Sequence, residues 1–478
     1  MRQAPQSAAV KRAQVEFHNF ASLGEPARVL EEYAEKNRRR AALLRKHAEF
    51  TGTLSPFLEI GANAGHTSYM LANEFGARGF ALDISADALR YGSALASAWR
   101  MAKAPVRVAG DAVNLPFQDG VLRAVFAFQM LSQFMDIEQV FLEVKRVLAL
   151  GGVFVLSEEP LRRKLSLSLF RCPYYDRMKP WEQKLHDWGL LGYLVRDVIG
   201  ASQEESFGIR QNHTMGLKEW DALVQKHFSA HEYEIFVPER GWGERVVKRA
   251  AVRFDSYRSV WRAARLLGGT FSAFCRKAGT PGAPNAGEER MERLLACPDC
   301  RGALALEPGE TLACRCGFRA QREDGVYNLL ASKERDALYP GDRDDVLDVS
   351  RPCHERLLGE GWYEVEGVFG NRYRWIGPRA TARLRRVASG AQRLRVRGFA
   401  PEDAFVRGRV ALAVAVNGAV VARVSPGRPG MFVIEADLPD AGEYNVEITA
   451  APVWNAPGDE RVLTVNLSLL RLIPREES

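Results

Sequence analysis

The sequence predicts an α/β region built on a parallel sheet, followed by a small cysteine-rich module and an all-β region. Three observations predict this. Residues Phe57 to Ser85 (FLEIGANAGHTSYMLANEFGARGFALDIS) read as a buried strand, a glycine-rich turn, a helix and a second strand ending in an acid. Four cysteines, Cys297, Cys300, Cys314 and Cys316, follow the Pro/Gly/Ala-rich segment Ala278–Glu289. From about Gly361, short alternating strands are separated by turn signals, the strongest being Asn417-Gly418.

In the α/β region, the apolar run Phe57, Leu58 and Ile60 meets a turn containing Gly61 and Gly65. Glycines there let the backbone approach a ligand closely, and an acid about 20 residues on can grip ribose hydroxyls. That acid is Asp83. The spacing is Glu59-x-Gly61-x-x-x-Gly65, not the G-x-G-x-x-G of nicotinamide enzymes. A short apolar strand, Val106–Val108, precedes Gly110-Asp111-Ala112, and a further strand runs from Ala124 to Phe128. A helix over Ile137–Leu148 leads through Val147–Gly152 into the strand Val153–Leu156. Glu59, Asp83 and Asp111 all fall at predicted strand tips, where open parallel sheets bind their ligands.

This ordered set resembles the class I S-adenosylmethionine (SAM) methyltransferases. The resemblance implies a Rossmann-like, seven-stranded methyltransferase sheet over residues 25–250. It implies SAM as cofactor, held by Glu59, Gly61, Asn63, Gly65, Asp83, Ile84, Asp111, Ala112 and Gln129, with Asp111 meeting the adenine amine. The run Val147–Gly152 is similar to the family's R-V-L-x-P-G-G turn, with Leu150 in place of the proline. The alternative is a nucleotide-binding domain without chemistry, since fold alone does not give function.

Residues 1–24 are expected to be disordered. A long charged helix is expected over Glu25–Glu49, with Val29, Leu30, Tyr33, Leu43 and Leu44 as its buried positions. The run Arg38-Arg39-Arg40 reads as a solvated face, or alternatively as a contact for an anionic substrate. Leu161–Gly200 reads as a mostly helical insertion that covers the cofactor pocket; the alternative for Leu161–Phe170 is a peripheral membrane contact. Leu217–Phe228 is expected as a helix, Glu232–Val237 as a strand, and Arg249–Lys277 as a basic, aromatic helical stretch. Residues 251–289 thus form a helix and linker.

Two cysteine pairs separated by thirteen residues suit tetrahedral zinc. The module over residues 290–335 resembles the zinc ribbons of the Trm112-like family, through Gly317 and the later Asp324-Gly325-Val326-Tyr327-Asn328-Leu329-Leu330. Its second pair, Cys314-Arg315-Cys316, is one residue shorter than the usual C-x-x-C. An all-cysteine ligand set is that of a closed structural site. The resemblance implies a stabilising partner for the methyltransferase domain, here fused in cis. The alternative is a metal-free module with four reduced cysteines. Cys353-His354 lies outside the spacing, and Cys172 and Cys275 read as ordinary thiols.

Residues 336–478 read as a β-sandwich. Strands are expected over Arg393–Phe399, Val410–Val416, Val420–Val424, Met431–Ala436, Gly442–Thr449 and Val462–Ile473. The segment Gly361–Leu384, with Trp375, Gly377 and Pro378 as a W-x-G-P element, resembles a module attached to bacterial surface-polysaccharide enzymes. That resemblance implies carbohydrate binding. Trp362, Tyr373 and Trp375 would then stack on sugar rings, or, in the other reading, fill the core.

Methyl transfer to oxygen also needs a base for the acceptor's proton. Glu158 and Glu159, just after the fifth strand, and His213, in FGIRQNHTM, are the catalytic candidates; His66 is read as shaping the turn. The acceptor is expected to be a sugar hydroxyl of a glycan or glycolipid precursor. The alternatives are another small metabolite, a protein or RNA, or a non-catalytic glycan-binding scaffold. The 478 residues allow about three domains, and 46% hydrophobic content is that of a globular chain. A net charge of +7 without a basic stripe interleaved with aromatics does not lead us to expect a nucleic-acid partner. Without a membrane span or a signal-peptide core in the sequence, a cytoplasmic location is expected.

Overall fold

The structure is a computed structural model that describes residues 11, 26–134, 136–161, 215–237, 261, 263–264, 268–280, 290–339, 341, 343–368, 371–387, 389–427 and 429–475. The chain divides into two units, Met1–Leu338 and Tyr339–Ser478.

The first unit is Rossmann-like. Its strands are β1 (Phe57–Ile60), β2 (Gly79–Asp83), β3 (Val106–Ala109), β4 (Leu122–Phe128), β5 (Leu148–Leu161), β6 (Ala230–Phe236), β7 (Gly269–Arg276), β8 (Ala305–Glu307), β9 (Thr311–Ala313), β10 (Arg319–Glu323) and β11 (Val326–Asn328). Among the described residues, its helices longer than a single turn are α1 (Pro26–Lys46), α2 (His66–Glu74), α3 (Ala86–Ala98), α4 (Ile137–Val147), α5 (Leu217–His227) and α6 (Ser332–Leu338). Strands β1 and β2 are buried at every position, as expected where helices cover both faces of a parallel sheet.

The sheet order is β6-β7-β5-β4-β1-β2-β3-β11-β10-β9-β8. The first seven strands are the expected methyltransferase sheet, with β7 antiparallel to β5 and β6. The four strands of the cysteine module continue it, because β11 pairs in parallel with β3 through Val326↔Arg107, Tyr327↔Val108 and Asn328↔Ala109. Strand β3 would otherwise present a free edge of backbone N–H and C=O groups. Leu295, Phe318 and the fully buried Tyr327 share one core with Leu58, Leu82 and Val108.

One expectation is corrected here. The helical stretch Arg249–Lys277 does not run to its end, because Gly269–Arg276 form β7. Its Phe271, Ser272, Ala273, Phe274 and Cys275 are buried consecutively, since the strand lies inside the sheet. The expectations for residues 1–24 (Lys11 apart), Leu161–Gly200 beyond Leu161, Cys172 and His213 lie outside the described residues. Among the described residues, no helix is long and apolar enough to cross a membrane.

Among its described residues, the second unit is all-β apart from the short helix Glu402–Arg407 and a 3-10 segment, Pro352–Leu357. One sheet runs β13 (Trp362–Val368), β14 (Asn371–Ile376), β21 (Asn466–Pro474), β16 (Gln392–Ala400) and β19 (Gly430–Asp437), with β12 (Val346–Asp348) paired to β21. The other runs β15 (Arg379–Arg385), β20 (Glu443–Ala451), β17 (Ala411–Val416) and β18 (Ala419–Val424). Burial alternates along β16, and Leu394 and Val396 share one core with Leu412 and Val414 from the other sheet. Asn417 and Gly418 both have positive φ, 50° and 84°, as a two-residue hairpin turn of this kind requires.

Candidate functional site

Strand order reverses between β1 and β4, which creates a crevice at the carboxyl ends of the strands. The turn after β1 borders it. Gly61, Asn63 and Gly65 have φ of 68°, 52° and 77°, a conformation costly for most side chains but open to glycine and tolerated by asparagine. A Cβ on Gly61 would stand 2.9 Å from Met130 Cβ, so glycine is required for space as well.

Asp83, at the tip of β2, fastens this turn. Its Oδ2 accepts the backbone N–H of Asn63 at 2.8 Å and its Oδ1 accepts that of Ser85 at 2.9 Å. The neighbouring Ile84 is partly buried. The backbone N–H of Gly110 reaches Asp83 O at 2.9 Å and links the ends of β2 and β3. One residue on, Asp111 accepts from the backbone of Val113 (3.0 Å) and from Lys11 Nζ (2.6 Å). Lys11 also pairs with Glu334 on α6. Ala112 is buried.

Glu59 lies inside the sheet. Ser68 Oγ donates to it at 2.5 Å, and burial pushes its carboxyl up to about 7 against that bond. It thus ties β1 to the first turn of α2.

Helix α1 covers the turn. Its buried positions Tyr33, Asn37, Arg40, Ala41 and Leu44 follow a helical stripe. Tyr33 stacks on His66 with centroids 4.1 Å apart, and Asn37 Nδ2 donates to His66 O at 2.9 Å. The arginine run splits. Arg38 and Arg39 are exposed beside Glu35, whereas Arg40 is only 4% exposed. Its guanidinium lies 4.3 Å from the Phe128 ring centroid. It donates to Thr67 Oγ1 at 2.7 Å and forks onto Glu158 at 2.7 and 3.4 Å.

Glu158 and Glu159 do opposite things. Glu158 has φ 62° and sits where the β5–β7 register shifts, a bulge that re-aims its side chain. Its side chain stays 25% exposed beside Arg40. Glu159 is fully buried and accepts the backbone N–H groups of Met130, Leu131 and Ser132 at 2.9–3.0 Å. Burial nevertheless raises its carboxyl to about 7. It holds the segment that follows β4. Gln129, at the start of that segment, is exposed with φ 54°.

The structure therefore gathers the turn, Asp83, Gln129 and Glu158 around the strand ends. Sequence reasoning missed Arg40 and Asn37 as members of this group. Their spacing from Tyr33 on one helix face was the available signal.

The four cysteine sulfurs lie within 4.8 Å of one another, with Cys297–Cys316 at 3.5 Å and Cys300–Cys314 at 3.4 Å. Bonds of about 2.3 Å to a tetrahedral ion need comparable sulfur separations, so the shortened second pair still fits. The aromatics proposed for sugar stacking pack inward in part: Trp362 and Trp375 lie against the core of the second unit. Trp375 meets Trp454 edge-on at 5.3 Å, and Tyr373 meets Trp375 at 5.8 Å.

Residues 58–156 match the model of the methyltransferase domain family. The chain is 27% identical over 128 residues to norajmaline N-methyltransferase from Rauvolfia serpentina, across 27% of this chain and 41% of that protein. It thus spans about two fifths of that relative's length. Among solved structures it is similar to geranyl diphosphate C-methyltransferase from Streptomyces coelicolor (15% identity, 56% of this chain and 98% of that one, TM-score 0.35). It is also similar to phosphoethanolamine N-methyltransferase 2 from Haemonchus contortus (17% identity, 51% and 53%, TM-score 0.33).

Proposed function

We propose that the chain is a SAM-dependent methyltransferase acting on a small-molecule acceptor. The observation that carries the reading is the left-handed turn fastened by Asp83 through Asn63, within the stretch that matches the methyltransferase domain family. Gly61, Asn63 and Gly65 would hold the cofactor by backbone, Asp83 and Ile84 its ribose, and Asp111 and Ala112 its adenine. Gln129 and Glu158 would face the acceptor.

Bound SAM supplies a methyl group already activated by its sulfonium, so the protein's part is alignment and exclusion of water. The acceptor's electron pair forms the new bond to carbon, the carbon–sulfur pair stays on sulfur, and S-adenosylhomocysteine leaves. For a hydroxyl acceptor, a base takes the displaced proton. Glu158 is the partly exposed carboxylate available for this, and His213 is the second candidate. Glu159, committed to three backbone N–H groups, supports the segment after β4 instead.

The narrower acceptor, a sugar hydroxyl of a glycan or glycolipid precursor, rests on the resemblance of the C-terminal region. The named relatives act on nitrogen or carbon. Structural zinc on Cys297, Cys300, Cys314 and Cys316 and a cytoplasmic location belong to the same proposal. The test is calorimetric titration of SAM and S-adenosylhomocysteine into the zinc-loaded protein. Micromolar binding supports the reading; no binding by the folded chain rejects it.

A further inference from the structure

Asp111, assigned above to the cofactor's adenine, already has a cationic partner in the folded chain. Lys11 is the one residue before Pro26 that the structure describes, and its Nζ stands 2.6 Å from Asp111 Oδ2. The two side chains are only 9% and 5% exposed. The other oxygen, Oδ1, accepts the backbone N–H of Val113 at 3.0 Å. Both carboxylate oxygens are therefore engaged, and little of the group is open to solvent. A hydrogen bond between ammonium and carboxylate is charged on both sides and stronger than one from a neutral donor. The exocyclic amine of adenine is a neutral donor, so it meets a stronger competitor at this acid.

Glu334 gives the same ammonium a second carboxylate. It lies on α6, pairs with Lys11 Nζ, and its side chain is 29% exposed. An ammonium carries three N–H donors, so it can serve both acids at once. Burial pulls the Lys11 ammonium toward its neutral form, but Asp111 and Glu334 more than offset this, so its pKa is raised and it stays charged. Release from Asp111 would leave that charge paired with Glu334 instead of stranded. The two acids also have separate supports. Asp111 belongs to the loop after β3, whereas Asp299, between Cys297 and Cys300, fixes Ser332 at the start of α6.

We propose that Lys11 competes with the cofactor's adenine for Asp111, and that Glu334 retains Lys11 when adenine is bound. The inference rests on the methyltransferase reading and adds a regulation to it. Without cofactor, Lys11 bridges the two acids. With cofactor, the adenine amine takes Asp111 and Lys11 keeps Glu334 alone. Only molecules with Lys11 off Asp111 are ready for adenine, and the apparent affinity is reduced by that fraction.

The test is calorimetric titration of S-adenosylhomocysteine into the full-length chain and three variants. Lys11→Met removes the competitor and should raise affinity roughly tenfold. Glu334→Gln takes away the alternative carboxylate, holds Lys11 on Asp111 and should lower affinity roughly threefold. The double variant should match Lys11→Met, because Glu334 acts only through Lys11. S-inosylhomocysteine, with an oxygen in place of the adenine amine, should gain no affinity from Lys11→Met. An equal gain for both probes would mean that Lys11 obstructs by bulk, and would overturn the competition for Asp111. So would unchanged or weaker binding of S-adenosylhomocysteine by Lys11→Met, or tighter binding by Glu334→Gln. If neither the folded parent nor folded Lys11→Met binds S-adenosylhomocysteine, the methyltransferase reading itself falls.

Discussion

Asn114 donates from its side-chain amide to the carbonyl oxygen of Pro298 at 3.0 Å. Asn114 lies in the loop after β3 that carries Asp111, and Pro298 lies between Cys297 and Cys300. Two further ties run beside it. The backbone N–H of Leu329 reaches Ala109 O at 2.8 Å, and Arg301 pairs with the buried Glu143, which itself accepts the N–H of Leu115. Asp299, inside the first cysteine pair, holds Ser332 at the start of α6. The loop bearing Asp111 is therefore braced by the cysteine module.

That bracing predicts a cost for losing metal. We expect one zinc per chain by elemental analysis. Chelation, or Cys297→Ser, should lower the thermal midpoint of the first unit by several degrees, because the module's short strands and turns then lose the cross-link that holds them together against β3. S-adenosylhomocysteine affinity should fall with it. A metal-stripped protein with unchanged midpoint and affinity would show that the sulfurs are close for another reason.

Asp83→Ala should remove cofactor binding more than it unfolds the chain. The carboxylate uses one acceptor position on each oxygen for the backbone of Asn63 and Ser85, and keeps others for a ligand. Affinity for SAM should fall on the order of a hundredfold, the loss of two hydrogen bonds to a charged group. Retention of wild-type affinity in calorimetry would remove Asp83 from the site.

How much was legible depended on how local each signal was. The turn at Gly61–Gly65 and the hairpin at Asn417-Gly418 were readable because a few residues must adopt positive φ, which leaves a mark in their own identity. Strand β7 was not, because Phe271 to Cys275 are buried without a break and no alternation distinguishes such a run from a helix. The pairing of β11 with β3 joins residues more than 200 positions apart, a contact no local pattern encodes. Arg40 was hidden inside a run of three arginines, and only the helical stripe with Tyr33 and Asn37 separates it from its neighbours. Glu158 and Glu159 are adjacent and chemically identical. The bulge in β5, not the sequence, turns one to solvent and the other to the backbone of Met130–Ser132.

Glu59 predicts a pH dependence of stability. Its folded carboxyl is raised to about 7 by burial, above the roughly 4.3 of an unfolded glutamate. Between those values the unfolded chain has released the proton that the folded chain retains. Stability therefore falls as pH rises from about 4.3 to 7 and levels off above, with a ceiling on the order of 4 kcal/mol. Glu159 is raised in the same direction and adds to the slope. Glu59→Gln keeps a partner for Ser68 but cannot ionise. Urea unfolding at pH 5 and pH 7.5 should show a smaller difference in the variant than in the parent. An identical difference would mean that Glu59 does not titrate in this range.

The Arg40–Glu158 pair should be measurable as a coupling. Arg40→Met strands the partly exposed Glu158, leaves His66 Nε2 without its donor and removes the contact with Phe128. Because Glu158 keeps some solvent, the cost should be about 2–3 kcal/mol, below the loss seen when a fully buried pair is broken. Glu158→Gln alone should cost less, since the amide oxygen still accepts from Arg40. In the double variant no charge is stranded, so the two losses should not add, and the shortfall should reach about 1 kcal/mol. Denaturant unfolding of the four proteins measures it. Strict additivity would mean that Arg40 acts through His66 and Thr67 alone, and Glu158 would then be held at the crevice by the bulge in β5 without help from α1.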